Sequence, residues 1–352
     1  MKATTTLVIP LILFFQLGLQ AEPNKENLFS LIRVRLFKEL ESFPQIPSAK
    51  MSQMDKNMWS VEGTHLHYQK KELPQQNFII KKENHKYDII GLFDFNNYLA
   101  GVISKEMPLA WPLEALKVQA VIARSYALAR MRERKNQIFH LDTDQMDQVF
   151  AITRSKKAKL AVILTENIIL KDQNNNILKA YYHADCGGQT IPAAQVWNGA
   201  IDMGTATDPW CLQRKSNEWT FEILKKDFFK KLMPAADFPE EKEKLNVSET
   251  FKNRIQSLQI SEQLFSIQKL RQIFGFALIR NSPIAIDETP ERIQFKGKGF
   301  GHGVGLCQWG TLAQIRLGRS YSQILEHYYP QAQLSTATLK LTKNFLSDLV
   351  FN

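Results

Sequence analysis

The densest apolar pattern in the chain runs from Asn97 to Lys135, where hydrophobic positions recur around nearly the whole circumference of a helix. Pro112 suits a first helical turn, because its missing N–H is a donor that a helix start leaves unpaired anyway. No Gly or Pro then interrupts the segment before about Arg134. On a 3.6-residue period, Leu113, Lys117, Ala120, Arg124, Ala127 and Met131 form one stripe, while Val118, Val121, Ile122 and Tyr126 occupy other faces. A helix apolar on most sides is a buried one, so the pattern predicts a central helix over about 112–134. Lys117 and Arg124 become partly buried cations that need partners, whether a structural ion pair, substrate or Glu106. Upstream, Asn97 is placed to cap a short helix with Tyr98, Leu99, Val102 and Ile103 on one side. Pro108 holds Met107 extended and stops that helix near Glu106.

Elsewhere the pattern alternates. Leu31 to Leu36 reads as a strand, and the FII and YDIIGLFDF runs within 77–95 read as a meander leading into the helices. Residues from about 38 to 75 are polar and weakly periodic and yield no element. Residues 140–152 are acidic and loop-like, and Leu160–Leu164, Ile168–Leu170 and Ile177–Tyr182 are strand-like. The last of these carries His183 to the edge of the Gly187-Gly188 turn, a position from which a side chain can face a cleft. Residues 221–270 form a Lys/Glu-rich insert in which Phe221–Met233 and Phe251–Leu258 read as helices, before a return to strand. Glycines 297, 299, 301, 303 and 305 alternate, which would bare one side of an extended segment to another backbone or a flat sugar. Residues 306–318 and the SYSQILEHYYP run read as two short helices. The expectation is an α+β protein with mixed β-sheets around the buried helix and a groove holding Glu106, His183 and residues 297–305.

Composition changes the setting of this picture. Residues 1–21 combine a basic start, an apolar run from Leu7 to Leu19 and a small residue, Ala21, which together read as a secretory signal. The run is too short to span a bilayer comfortably, so membrane association arises only if the signal is retained. An exported protein of the periplasm or cell envelope is expected. Apolar content of 44% and charged content of 23% are ordinary for globular chains. The formal charge of +10 points to an anionic partner. Export and the lack of any nucleic-acid-binding pattern argue against DNA or RNA. Three cysteines in an exported chain predict one disulfide and a leftover thiol. Cys186 with Cys211 is the expected pair, since both lie in turn-rich sequence and would close a modest loop.

Candidate chemistry centres on Glu106. Cleaving a glycosidic bond needs an acid with its pKa near the working pH, and the Met107-Pro108-Leu109-Ala110-Trp111 collar would desolvate Glu106 and raise its pKa. Paired-carboxylate glycosidases need a partner acid; Asp142, Asp144, Asp147 and Asp185 are available and no motif marks one out. A lytic transglycosylase needs one acid/base only, because the sugar's own 6-hydroxyl attacks. On pattern alone, an acidic residue favoured near a helix start remains the plainer reading. His183-x-x-Cys186 has workable ligand spacing, but no second pair nearby in sequence completes a zinc set; neither metal ligands nor cofactors are expected. Cys307 with His302 or His183 is either a nucleophile–base pair or a small buried thiol.

The run YLAGVISKEMP-x-x-WPLEALKVQAVIARSYAL resembles the signature of the stage II sporulation protein D family (the SpoIID/LytB domain). YYHADCGGQT with its following VW, the DPWC turn, GKGFGHGVGLCQWG and ILEHYYP match later blocks of that family in order. The resemblance covers about Leu31 to Pro330 and is weak over 40–75 and 221–270. It implies a peptidoglycan lytic transglycosylase acting on glycan strands already stripped of stem peptides by an N-acetylmuramoyl-L-alanine amidase. Such an enzyme breaks the bond between N-acetylmuramic acid and N-acetylglucosamine and leaves a 1,6-anhydro end. By the same resemblance Glu106 is the catalytic acid, and Arg124, His183, His302 and Gln308 line the groove, with Lys117 counted beside them. Family members described as amidase enhancers make a non-enzymatic, wall-binding role the alternative. Some relatives carry zinc ligands just before the triplet that is Gln148-Val149-Phe150 here. This chain has Leu141, Met146 and Asp147 there, with only His140 nearby, and no structural zinc is expected.

Overall fold

The computed structural model describes residues 31–46, 50–68, 71–144, 147–201, 203–213, 217–234 and 244–337. The expected signal sequence, 1–21, lies outside them, as does Met146. Strands β1 (Leu31–Leu40), β2 (Lys50–Asp55), β3 (Met58–Tyr68), β4 (Lys71–Glu83) and β5 (Lys86–Asp94) make a sheet ordered β2-β3-β4-β5-β1. A two-residue strand β6 (Leu141–Asp142) adds in parallel to β1. Residues 38–75, which showed no clear period, thus supply most of β2 to β4. Their weak alternation is enough because Val61, Leu66, Phe78, Ile80 and Ile89 cover one face of the meander together.

Helix α1 (Phe95–Glu106) leaves β5 directly. Asp94, rather than Asn97, is its cap: the Asp94 carboxylate accepts from the Asn97 amide at 2.9 Å. At the other end Met107 is extended, with φ −127° and ψ 143°, as the following Pro108 requires. Helix α2 (Leu113–Glu133) is the hub, with Leu116, Val118, Ala120, Val121, Ile122 and Ala127 all fully buried. Helix α3 (Lys156–Leu164) packs against α1 and α2. The Leu160–Leu164 run is therefore helical and not a strand. Ser155 caps it by accepting from the Ala158 amide at 3.2 Å, and Ala158, Ala161 and Val162 face inward while Leu160, Ile163 and Leu164 stay exposed. Strand β7 (Ile168–Lys171) follows, and then β8 (Tyr182–His183), which is much shorter than the apolar run preceding it.

The region expected to be a helical insert is mostly β. Strand β9 (Glu218–Leu224) precedes one short helix, α4 (Lys225–Leu232). Strands β10 (Leu245–Phe251), β11 (Arg254–Ile260) and β12 (Gln263–Ser266) then form an antiparallel sheet. Phe251, Ile255 and Leu258 have helical spacing, yet Lys252 and Asn253 at φ +45° and +64° make the tight turn of a hairpin. Helix α5 (Ile267–Phe274) returns the chain to β13 (Pro283–Glu288) and β14 (Arg292–Lys298), which pair with each other, and β14 pairs on its other side with β9. A second core fills this part, with Phe228 stacked on Phe274 at 5.0 Å. Strand β15 (Leu306–Cys307) pairs in parallel with β8, and α6 (Gln308–Arg316) and α7 (Tyr321–Tyr328) follow as predicted. Strand β16 (Gln333–Thr336) closes on β7. The α+β class with mixed sheets around a buried helix is what the chain adopts.

Phe150 locks the loop after β6 onto α1: its ring stacks on Tyr98 at 5.1 Å and meets Phe93 edge-on at 4.7 Å. Gly101 permits this approach, since a Cβ there would fall 2.4 Å from the Phe150 ring and 2.5 Å from the Ala151 carbonyl. Gly→Ala in a helix ordinarily stabilises by about 0.8–1.0 kcal/mol. Here Gly101→Ala is expected to destabilise by about 1–3 kcal/mol through overpacking, measured by urea denaturation.

Candidate functional site

Glu106 is the last residue of α1, where the Met107–Pro108 junction turns the chain away. Its Oε1 accepts from the Val149 amide at 2.9 Å, and the Tyr182 hydroxyl also hydrogen-bonds the carboxylate. The Tyr98 hydroxyl donates to Gln148 Oε1 at 3.0 Å, and the Gln148 side-chain amide lies 3.5 Å from the Tyr182 oxygen. The acid is thus held by the Phe150-anchored loop on one side and by β8 on the other. Burial pushes its pKa above the usual carboxylate range, and the two hydrogen bonds, which favour the ionised form, offset part of the rise. Of the collar, Met107 is buried, and Trp111 packs edge-on against Trp309 at 5.0 Å.

Glu106 opens onto a cleft of about 650 Å³ lined also by Tyr182, His183, Trp197, His302 and Gln308. Tyr181 and Trp197 stack at 4.1 Å, and Trp197 meets the His302 ring at 4.9 Å, giving one wall a continuous aromatic surface. His183 donates from Nδ1 to the Val304 carbonyl at 3.0 Å, leaving Nε2 buried and without a partner among the described residues. Burial lowers its pKa to about 4. His302 accepts the Val304 amide at Nδ1, 3.0 Å away, and burial beside His183 holds its pKa well below the usual value. Both imidazoles are therefore neutral near pH 7. The glycines of 297–305 serve this assembly from inside. A Cβ at Gly301 would stand 2.7 Å from His183 Cβ, and one at Gly305 would stand 2.1 Å from the Tyr181 carbonyl. Both residues adopt positive φ, +116° and +69°, so the segment is coiled against its own chain instead of lying bare for a sugar.

Lys117 and Arg124 lie away from the cleft. Lys117 pairs with Glu114 at 2.7 Å and sits over the Tyr321 ring at 4.4 Å. Arg124 is 1% exposed and donates to the Val162 and Ile168 carbonyls at 3.1 and 3.0 Å, at the C-terminal end of α3. A cation is favourable at that end of a helix, and Arg124 is a structural clamp. Gln308 does reach the cleft, with its amide 3.3 Å from the buried Gln119. The carboxylates considered as partners for Glu106 are engaged elsewhere. Asp142 is paired with Arg35 at 2.7 Å, Asp144 with Lys38 at 3.6 Å, and Asp147 with Arg130 and Arg134 at 2.7 and 2.8 Å. Asp185 accepts from the Gly187 amide at 2.8 Å. Among the described residues lining the cleft, Glu133 is likewise paired, with Arg130 and Lys179.

The expected Cys186–Cys211 disulfide is absent: all three cysteines are free and buried. Cys211 lies 3.5 Å from the Cys307 sulfur, while Cys186 is directed at Asp208 Oδ2 at 3.2 Å. Loop length favoured the pair, but β15 brings Cys307 into the same space. Cys307 itself has no exposure, and burial pushes its thiol pKa up, the opposite of an activated nucleophile. Tyr182, Val149 and Trp197 went unrecognised in the sequence as site residues. Tyr182 and Trp197 sit inside the family blocks; a backbone amide such as that of Val149 leaves no mark in sequence.

Removing the Tyr182 hydrogen bond takes away support for the ionised acid. In Tyr182→Phe the Glu106 pKa is expected to rise above its wild-type value, read by NMR titration of the carboxyl carbon; an unchanged or lower value contradicts the assignment.

Residues 83–171, which carry α1, Glu106, α2 and Val149, match the model of the family described as SpoIID, stage II sporulation protein. The chain is 28% identical over 249 residues to an uncharacterized protein of Brachyspira hyodysenteriae, covering 68% of this chain and 66% of that protein. It is 24% identical over 296 residues to the amidase enhancer of Bacillus subtilis, covering 68% of this chain but 40% of the enhancer. With stage II sporulation protein D of Bacillus amyloliquefaciens it shares 28% identity over 306 residues, covering 78% and 82% of the two chains. It therefore spans just under two thirds of the Brachyspira relative and well under half of the enhancer. The Glu106-bearing helix lies inside the segment that matches the SpoIID model, and the relatives named stage II sporulation protein D support the same family for this chain.

Proposed function

We propose that the protein is an exported lytic transglycosylase that cleaves the bond between N-acetylmuramic acid and N-acetylglucosamine in peptidoglycan strands lacking stem peptides. The match to the SpoIID model and the relative named as an amidase enhancer support the broader cell-wall role. The observation that carries the finer reading is a single carboxyl group with a raised pKa in a cleft whose other acidic side chains are ion-paired. One available carboxyl group suits a reaction in which no water has to be activated. Protonated Glu106 gives its proton to the bridging oxygen as the muramic acid C1–O bond breaks. The carboxylate then takes the proton from the same sugar's 6-hydroxyl while that oxygen bonds to C1. The 1,6-anhydro end forms, the proton count balances, and Glu106 is restored to its acid form.

Other features suit this substrate. The stacked Tyr181–Trp197 wall offers flat apolar area to sugar rings, and neutral His183 and His302 offer hydrogen bonds without a competing charge. The lactyl carboxylates of a stripped strand suit the basic chain. An amidase that removes stem peptides would act upstream. A second reading, favoured by the relative named as an amidase enhancer, is a wall-binding protein that stimulates an amidase without cutting.

Incubation with denuded glycan strands is expected to release anhydromuramyl products, detected by mass spectrometry. Glu106→Gln should reduce their formation by about 10²–10⁴-fold, the usual contribution of an acid/base group. Equal turnover by the variant rejects the mechanism. Amidase stimulation that survives Glu106→Gln, with no anhydro product from either form, supports the second reading instead. The loss should not reflect unfolding. Because the folded-state pKa of Glu106 is raised, its ionisation costs stability, fully above the folded pKa and not at all below the unfolded one. Glu106→Gln should therefore have a higher Tm than wild type at pH 8 and a closely similar one near pH 4.

A further inference from the structure

Four side chains from three separate segments converge beneath the cleft. Cys186 comes from the turn after β8, Asp208 and Cys211 from the Asp-Pro-Trp-Cys turn, and Cys307 from the end of β15. One ligating atom from each lies within 4.8 Å of all the others, and all four residues are buried. The 3.5 Å between the Cys211 and Cys307 sulfurs is far longer than the roughly 2 Å of a disulfide. It is close to the sulfur–sulfur edge of about 3.8 Å that tetrahedral zinc sets with bonds of about 2.3 Å. The 3.2 Å between Cys186 Sγ and Asp208 Oδ2 suits the shorter sulfur–oxygen edge of the same figure.

We propose that Cys186, Cys211, Cys307 and Asp208 form a structural zinc site. The surroundings are built for ligands, not for three idle thiols. The Cys186 and Gly310 amides point at Cys307 Sγ from 3.2 and 3.3 Å, and such N–H donors stabilise a thiolate. The Tyr328 hydroxyl donates to Asp208 Oδ2 at 2.6 Å and the Cys211 amide to Oδ1 at 3.0 Å, which orients the carboxylate as an outer shell does. Gly310 leaves room for this contact: a Cβ there would fall 2.0 Å from Asp208 Oδ2 and 2.1 Å from the Tyr328 oxygen. The buried Arg254 guanidinium donates to the Cys186 carbonyl and offsets part of the negative charge.

Three thiolates favour a soft cation, and four protein ligands with no open position mark a structural site, not a catalytic one. Three cysteines are one short of the usual set for an iron–sulfur cluster. Binding is a ligand exchange without oxidation: zinc displaces the thiol protons, up to three, and Asp208 enters as the carboxylate. Asp185 Oδ1, 2.9 Å from Cys211 Sγ, is the nearest base for one of them. The ion would tie the His183 strand to the Gln308 helix, a link through Cys307 that the expected Cys186–Cys211 disulfide would not have made. The expectation of no metal ligands considered only residues near one another in sequence.

The full chain, purified without chelator, is expected to hold one equivalent of zinc by elemental mass spectrometry. Cobalt substitution should give the intense visible bands of a tetrahedral thiolate site. Chelation should lower Tm and added zinc should restore it. Cys211→Ser and, as a milder variant, Asp208→Asn should weaken zinc retention by about 10-fold or more, in line with loss of a ligand. A reduced wild-type chain that takes up no zinc from excess, one that retains another metal in its place, or peptide mapping that finds Cys211 disulfide-bonded overturns the proposal. None of these readouts depends on glycan cleavage, so the site and the transglycosylase reading stand or fall separately.

Discussion

Helix α2 has almost no face left for solvent, and this constrains everything around it. Its apolar residues are covered by α1 and α3 and by β7, α6 and α7. A helix enclosed in this way can carry polar side chains only where each has a partner, and each of its inner polar groups addresses one neighbour. Gln119 accepts from Gln308 at the start of α6, Arg124 holds the end of α3, and Ser125 Oγ accepts from the Leu170 amide of β7 at 2.9 Å. Tyr126 donates to Asp147 at 3.2 Å and so fixes the loop that presents Val149. The site is a product of these assignments: both supports of Glu106, the Val149 amide and Tyr182, belong to segments tied to α2 or its direct neighbours.

The electrostatics of the cleft follow from the same packing. Two histidines and one glutamate are drawn into a low-dielectric region, and each is pushed toward its neutral form by burial. The other acidic groups of the region are paired off at its edge, with Arg130 bridging Asp147 and Glu133. Facing the cavity are an acid able to hold its proton, the Arg271 guanidinium and the hydrogen-bonding and aromatic surface around them. This arrangement suits protonation of a neutral glycosidic oxygen better than recognition of a charged reacting group.

Beneath the cleft, three cysteines and an aspartate bring together the turns that follow β8 and precede α6. Parallel pairing of β8 with β15 is only two residues long, which is little on its own to hold two walls of the cleft in register. The four buried ligands, the coiled 297–305 glycines and the Tyr329 hydroxyl bonded to the Tyr181 carbonyl at 2.6 Å supply the remaining restraint. Function and rigidity thus sit back to back on the same short strands.

Local patterning was sufficient for α2, for the stop at Met107–Pro108, for the β1, β4 and β5 runs and for α6 and α7, because period, proline and capping act over a few residues. Glu106, His183, His302 and Gln308 were legible through family blocks, and the fold brings all four to one cleft. Lys117 and Arg124 shared the same helix and looked equivalent, yet which face met the cavity depended on where α3 and α7 packed. Phe251–Leu258 had the apolar spacing of a helix and became a hairpin, because a two-residue turn and partners on both sides outweighed the period. The cysteines make the same point most sharply: Cys211 and Cys307 are 96 positions apart in the chain, and they meet because β15 pairs with β8 while the Asp208 amide bonds the Gly188 carbonyl just beyond β8. Sequence by itself determined which segments are helical at the hub and which acid stands at the mouth of α2; tertiary structure decided which charges face the cleft and which thiols meet, because those depend on contacts between segments that no local pattern encodes.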